Sequence, residues 1–251
     1  MPDSLVATAE PRRTFSVGST LRQTFAQLSG RLPTFLLLAM LPGVPELLYS
    51  LILLRPTPES AHTQQLISTT SLLSLYPFAQ GGIIHATFQS LRGRPVTLRE
   101  SLSLVTPRFR SILLASLLST LLIALGSILL LVPGIMLLAR YFVVIPVCLI
   151  EGSNASASLK RSAELTAGSR WKIFGLFLLM SLAVLLSVAV MVGVSTLSAR
   201  WIGTNNADEL VGFLIGGALL AFSAVLSAVT YHELRFAKEG VDGEQIAAVF
   251  D

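Results

Sequence analysis

Three ionisable side chains, Glu46, His85 and Arg140, stand inside long apolar runs of this 251-residue chain. In hydrocarbon such groups are costly, and by default they are candidates for function. At a helical rise of about 1.5 Å per residue, Glu46 falls roughly 20 Å and Arg140 roughly 18 Å from the inner side of the membrane. Equal depth lets a carboxylate and a guanidinium meet, and pairing offsets much of the cost of burying either one. The expected outcome is an ion pair or a small polar site. His85 follows Gly81 and Gly82, where small residues let helices approach closely enough for a hydrogen bond between them. His62, His85 and His232 fall at different depths, so they are not expected to converge on a metal, and no cofactor is implied. The chain has no GxSxG, no HExxH, no paired-carboxylate spacing and no glycine loop for phosphate, so no catalytic residue is assigned.

Those residues must be positioned by membrane helices. Only 13% of the residues are charged, against about 25% in ordinary soluble domains, and the mean hydropathy is +0.73. Six apolar runs, at about 33–54, 66–91, 110–131, 133–150, 173–197 and 210–232, approach the roughly 20 residues a helix needs to span a bilayer. Residues 1–16 lack the apolar core of a secretory signal and read as a disordered tail, with 236–251 as a short cytoplasmic tail. Fifteen of the eighteen Lys and Arg residues flank one side of the six runs. Basic loops stay cytoplasmic, so both termini are expected inside. The net charge of +4 is thus a topology signal; no interleaved aromatics or recognition motif points to nucleic acid.

The runs carry an internal repeat. TLRQT (20–24), TLRES (97–101) and SLKRS (158–162) each precede an apolar run at the same spacing, with Gly30, Pro107 and Gly168 in register. Thr20 with Gln23 and Thr97 with Glu100 read as capping boxes. The apolar positions Leu21, Phe25, Leu28 and Leu98, Leu102, Val105 trace one face of a short helix suited to the cytoplasmic headgroup layer. The expected fold is all-α: a six-helix membrane domain over 17–235, built from hairpin units at about 17–92, 93–152 and 153–235. A short amphipathic helix leads each unit.

Three stretches go beyond membrane composition: LVPGIMLLARYFVVIPVCLIEG (131–152), SLKRSAELTAGSRWKIFG (158–175) and YHELRFAKEGVD (231–242). Together they resemble the membrane domain attached to some bacterial glycerophosphodiester phosphodiesterases and found alone in other bacterial membrane proteins. The resemblance rests on Pro133, Gly134, Arg140 and Glu151, on Arg161, Ser162, Gly168 and Trp171, and on Tyr231, Glu233, Arg235 and Glu239. It implies a multi-pass protein of the bacterial cytoplasmic membrane. It does not imply hydrolysis, which in fused relatives belongs to a separate soluble domain with no counterpart in these residues.

The reading that follows is a non-enzymatic membrane protein in contact with lipids and with other membrane proteins, a scaffold or partner of envelope or lipid-handling machinery. The alternatives are a small permease using the site near Glu46 and Arg140, and a membrane enzyme acting on lipid headgroups.

Overall fold

The computed structural model describes residues 15–52, 58–95, 97–201 and 206–240, and every regular element among them is helical. Nearly all of the expected N-terminal tail, most of the C-terminal tail and parts of the connections at 55–65 and 198–209 lie outside the described residues. In chain order the helices are α1 (Val17–Gly30), α2 (Leu32–Met40), α3 (Val44–Ile52), α4 (Pro58–Thr70), α5 (Tyr76–Leu91) and α6 (Leu98–Val105). They continue as α7 (Phe109–Leu129), α8 (Leu131–Tyr141), α9 (Val144–Glu151), α10 (Ala155–Thr166), α11 (Arg170–Trp201) and α12 (Asn206–Glu239).

Prolines set the internal breaks. A proline has no amide hydrogen to give the carbonyl four residues back, and its ring crowds that carbonyl. Pro45 therefore acts on Leu41, where a 3-10 turn (Leu41–Gly43) separates α2 from α3. Pro77 acts on Leu73, inside a π-helical turn (Ser71–Leu75) joining α4 to α5. Pro146 acts on Phe142, in the turn between α8 and α9. There the freed carbonyl of Phe142 accepts a hydrogen bond from Ser227 Oγ of α12 at 3.0 Å. The Arg140 carbonyl accepts from Ser162 Oγ at 2.8 Å. Hydroxyls of neighbouring helices thus satisfy the backbone that the break exposes.

Among the described residues, five helical segments are long and apolar enough to cross a membrane: Leu32–Leu51, Leu98–Leu129, Val132–Glu151, Arg170–Leu197 and Glu209–Glu239. The remaining expected run, 66–91, differs. It is helical from the end of α4 through α5, but Ser68, Thr69, Thr70, Ser71 and Ser74 dilute its first half. Its second half sits at the centre of the bundle, with Ala79 and Gly81 to Phe88 buried, so protein rather than lipid is its surroundings. The membrane-facing belt comes instead from α7 and α11, where Leu114, Leu121, Leu125, Leu182, Leu185 and Val192 are exposed. An apolar surface of that extent needs a bilayer.

Packing follows a cyclic pattern. The helices α5, α9 and α12 touch one another in the middle. Each carries one of the short helices on its flank: α6 on α5, α10 on α9 and α1 on α12, the last joining the two ends of the described chain. These short helices bury their hydroxyl side and not simply the apolar stripe. Thr20, Thr24, Ser101, Ser158 and Ser162 are buried, while Phe25 is 56% exposed. Thr24 Oγ1 donates to the Thr20 carbonyl, and Thr20 Oγ1 to that of Ser16, both at 2.8 Å. A small side chain that satisfies its own hydroxyl lets a neighbouring helix come close. The repeated hydroxyls are therefore packing positions. The capping expectation holds only for Thr97, whose Oγ1 accepts from the Glu100 amide at 3.3 Å. In the other two copies the helix starts earlier, at Val17 and Ala155, leaving Thr20 and Ser158 inside it; Asn154 caps α10.

Candidate functional site

The structure does not bring Glu46 and Arg140 together. The break after Tyr141 swings the end of α8 against α10, so the Arg140 backbone is held by Ser162 and Thr166. Its side chain is exposed, with the guanidinium carbon 5.7 Å from the Tyr141 ring centre. The equal-depth estimate assumed straight helices. Glu46 instead accepts a hydrogen bond from Ser68 Oγ at 2.7 Å. His85 meets neither: it is buried in α5, with Nε2 3.4 Å from Gln89 Nε2 of the same helix, and Gln89 reaches Glu100 of α6 at 3.4 Å.

Glu46 lines a cleft of about 480 Å³ between α3, the π-helical turn and the first half of α12. Ser68, Ser71 and Tyr76 supply hydroxyls, and Met40, Leu47, Leu72, Met191 and Phe213 apolar walls. Glu209 also borders it. The GxxxG of Gly212 and Gly216 is only partly a packing motif. A Cβ on Gly212 would lie 3.1 Å from Met191, and one on Gly217 3.0 Å from Met40, whereas Gly216 faces open space. Sequence reasoning found Glu46 but missed its surroundings. The signal available was Pro77, which directly follows the π-helical turn whose Ser71 and Leu72 line the cleft.

At the opposite end, a second cluster gathers side chains from α9, α10 and α12. Glu151 Oε1 accepts from Arg161 Nε at 3.1 Å and from the Tyr231 hydroxyl at 3.0 Å. Arg161 also bonds Glu239, which accepts from Arg235 Nε at 2.9 Å, a pair one turn apart on α12. Burial works against the Arg161 charge, but the hydrogen bonds and charges of Glu239 and Glu151 outweigh it and hold its pKa above the ordinary value. Tyr231 is fully buried and packs edge-on to Phe88 at 5.7 Å. The result is one continuous chain, Tyr231 to Glu151 to Arg161 to Glu239 to Arg235.

Five of the twelve positions that carried the family resemblance thus converge here, and a model of the membrane domain of glycerophosphoryl diester phosphodiesterase matches residues 98–234, more than half of the chain. The chain belongs to that family. No curated protein and no solved structure matches it.

The matched segment of this membrane-domain protein runs from α6 into α12 and includes Glu151, Arg161 and Tyr231. Arg235 and Glu239 lie just past it, and Glu46 well before it. The other family positions do structural work. Gly134 sits in the first turn of α8 beside Pro133, where an added Cβ would lie 2.7 Å from Ser127 Cα, so α7 and α8 meet backbone to backbone. Gly168 turns the chain into α11 at φ +84°, a conformation that favours glycine. Trp171 then stands 84% exposed, edge-on to Phe174, as suits a headgroup anchor. Glu233 is half-exposed on α12, outside the cluster. Among the described residues no three His, Cys, Asp or Glu side chains gather as metal ligands.

Proposed function

We propose that this chain is a non-enzymatic membrane scaffold that holds a partner of envelope or lipid-handling machinery at its cytoplasmic face. It does so as six spans in three repeated units, with both termini on the cytoplasmic side of a bacterial inner membrane. The observation that carries the reading is the chain of side chains from Tyr231 to Arg235. Its charges are matched to one another, and it ties three helices into a firm face at the end where the basic residues concentrate. Charges so committed fit a platform better than a proton-transfer site. The test is recovery of the tagged protein from its native membrane in mild detergent, with bound proteins and lipids identified together. A protein partner lost from Arg161→Ala and kept by Glu46→Gln supports the scaffold; no partner above background from the wild type refutes it.

A second reading, a small permease, is favoured by the cleft beside Glu46. Flux through proteoliposomes that disappears in Glu46→Gln would support it.

A further inference from the structure

Glu46 is a half-buried carboxylate beside apolar side chains, and the hydrogen bond from Ser68 falls on its Oε1. The space beside it, about 480 Å³, lies within the roughly 300–1,000 Å³ of ordinary ligand sites. Its lining combines the carboxylates of Glu46 and Glu209 and the oxygens of Ser71 and Tyr76 with the apolar side chains of Met40, Leu72, Met191 and Phe213. Three irregular features border the space: the π-helical turn at Ser71–Leu75, the 3-10 turn at Leu41–Gly43, and Gly216, where a Cβ would meet nothing within 4 Å. π turns of this kind recur at functional sites.

We infer that the cleft binds the primary ammonium head of an amphiphile, with Glu46 as its counter-ion and the apolar wall taking its hydrocarbon. A carboxylate selects a cation. Hydroxyl oxygens beside it accept N–H hydrogen bonds, which a primary ammonium supplies and a trimethylammonium does not. The inference is independent of the scaffold reading and requires no flux, because equilibrium binding tests it. The same head could come from a lipid, as in phosphatidylethanolamine, or from a free amine such as ethanolamine.

The experiment uses the full chain, delipidated in detergent and titrated with short-chain phosphatidylethanolamine, phosphatidylcholine, phosphatidylglycerol or ethanolamine. Bound ligand is read by native mass spectrometry and stability by thermal shift. Glu46→Gln keeps an oxygen to accept from Ser68 while removing the charge. Gly216→Leu fills the cleft from a position where a Cβ meets nothing within 4 Å, so the fold should be retained. The expected result is preferential binding of phosphatidylethanolamine, weakened about tenfold by Glu46→Gln, as for loss of one charge-assisted hydrogen bond, and abolished by Gly216→Leu. Ethanolamine bound as well as the lipid, with the same sensitivity to Glu46→Gln, supports the ammonium site and identifies a soluble source. Equal binding of all three lipids, or binding unchanged in both variants, overturns the proposal.

Discussion

Glu151 and Arg161 show how much a residue's meaning depends on what surrounds it. Both sit near the membrane surface, where an isolated ion pair contributes little to stability. Their side chains are 24% and 30% exposed, so solvent screens them in part. The network adds to the pair: removing Arg161 strips a partner from both Glu151 and Glu239, whereas removing the Tyr231 hydroxyl costs one bond. Arg161→Ala should therefore destabilise the protein by about 1–2 kcal/mol after allowance for screening, and Tyr231→Phe by about 1 kcal/mol. Thermal unfolding in detergent measures both, and the Arg161 effect should shrink in high salt while that of Tyr231 does not. At this scale the sequence already indicated the Arg235–Glu239 pair, because one helical turn separates them. The Glu151–Arg161 and Tyr231–Glu151 bonds depend on how three helices are placed, which spacing along the chain does not specify.

Among the elements, the instructive case is the break between α8 and α9. A proline was visible at 146, but whether its helix bends, and which group relieves the carbonyl it frees, depends on the neighbouring helix. Here Ser227 of α12 donates to the Phe142 carbonyl. Ser227→Ala should cost about 1 kcal/mol, as for other hydrogen bonds between membrane helices. In a Pro146→Ala background an amide becomes available to that carbonyl, and the same serine change should then cost markedly less. A double-mutant cycle of unfolding free energies measures the coupling, and strict additivity would show that the carbonyl is not what Ser227 serves. The same break explains the misplacement of Arg140: a depth counted along a straight helix has no meaning past a bend. The repeated short helices make a related point. Their hydroxyls were legible as a pattern, and capping was read from that pattern, but all five buried ones line a helix flank from inside the helix instead.

For the whole molecule, the architecture turns on the run from α4 to α5, whose first half is too polar for a lipid-facing span. Six crossings place His62 and Arg94 on opposite sides of the membrane; five place them together. In a Cys148→Ala background, His62→Cys should react with an impermeant maleimide in intact spheroplasts, and Arg94→Cys only after lysis. Equal labelling of the two before lysis would remove the six-span reading and the three-unit repeat with it. Composition, apolar run length and the asymmetry of basic residues determined, without coordinates, that this is an all-helical multi-pass membrane protein, because transfer into lipid is a sum over residues that needs no knowledge of neighbours. The family stretches were legible for the same reason: they are contiguous. Only the tertiary structure decided that α5, α9 and α12 form the centre, that Glu46 bonds Ser68 beside a cleft and does not meet Arg140, and that five side chains from three helices join at one end. Those outcomes depend on helix bends and on which faces pack, where small residues and freed carbonyls on one helix are matched by groups far away in the chain.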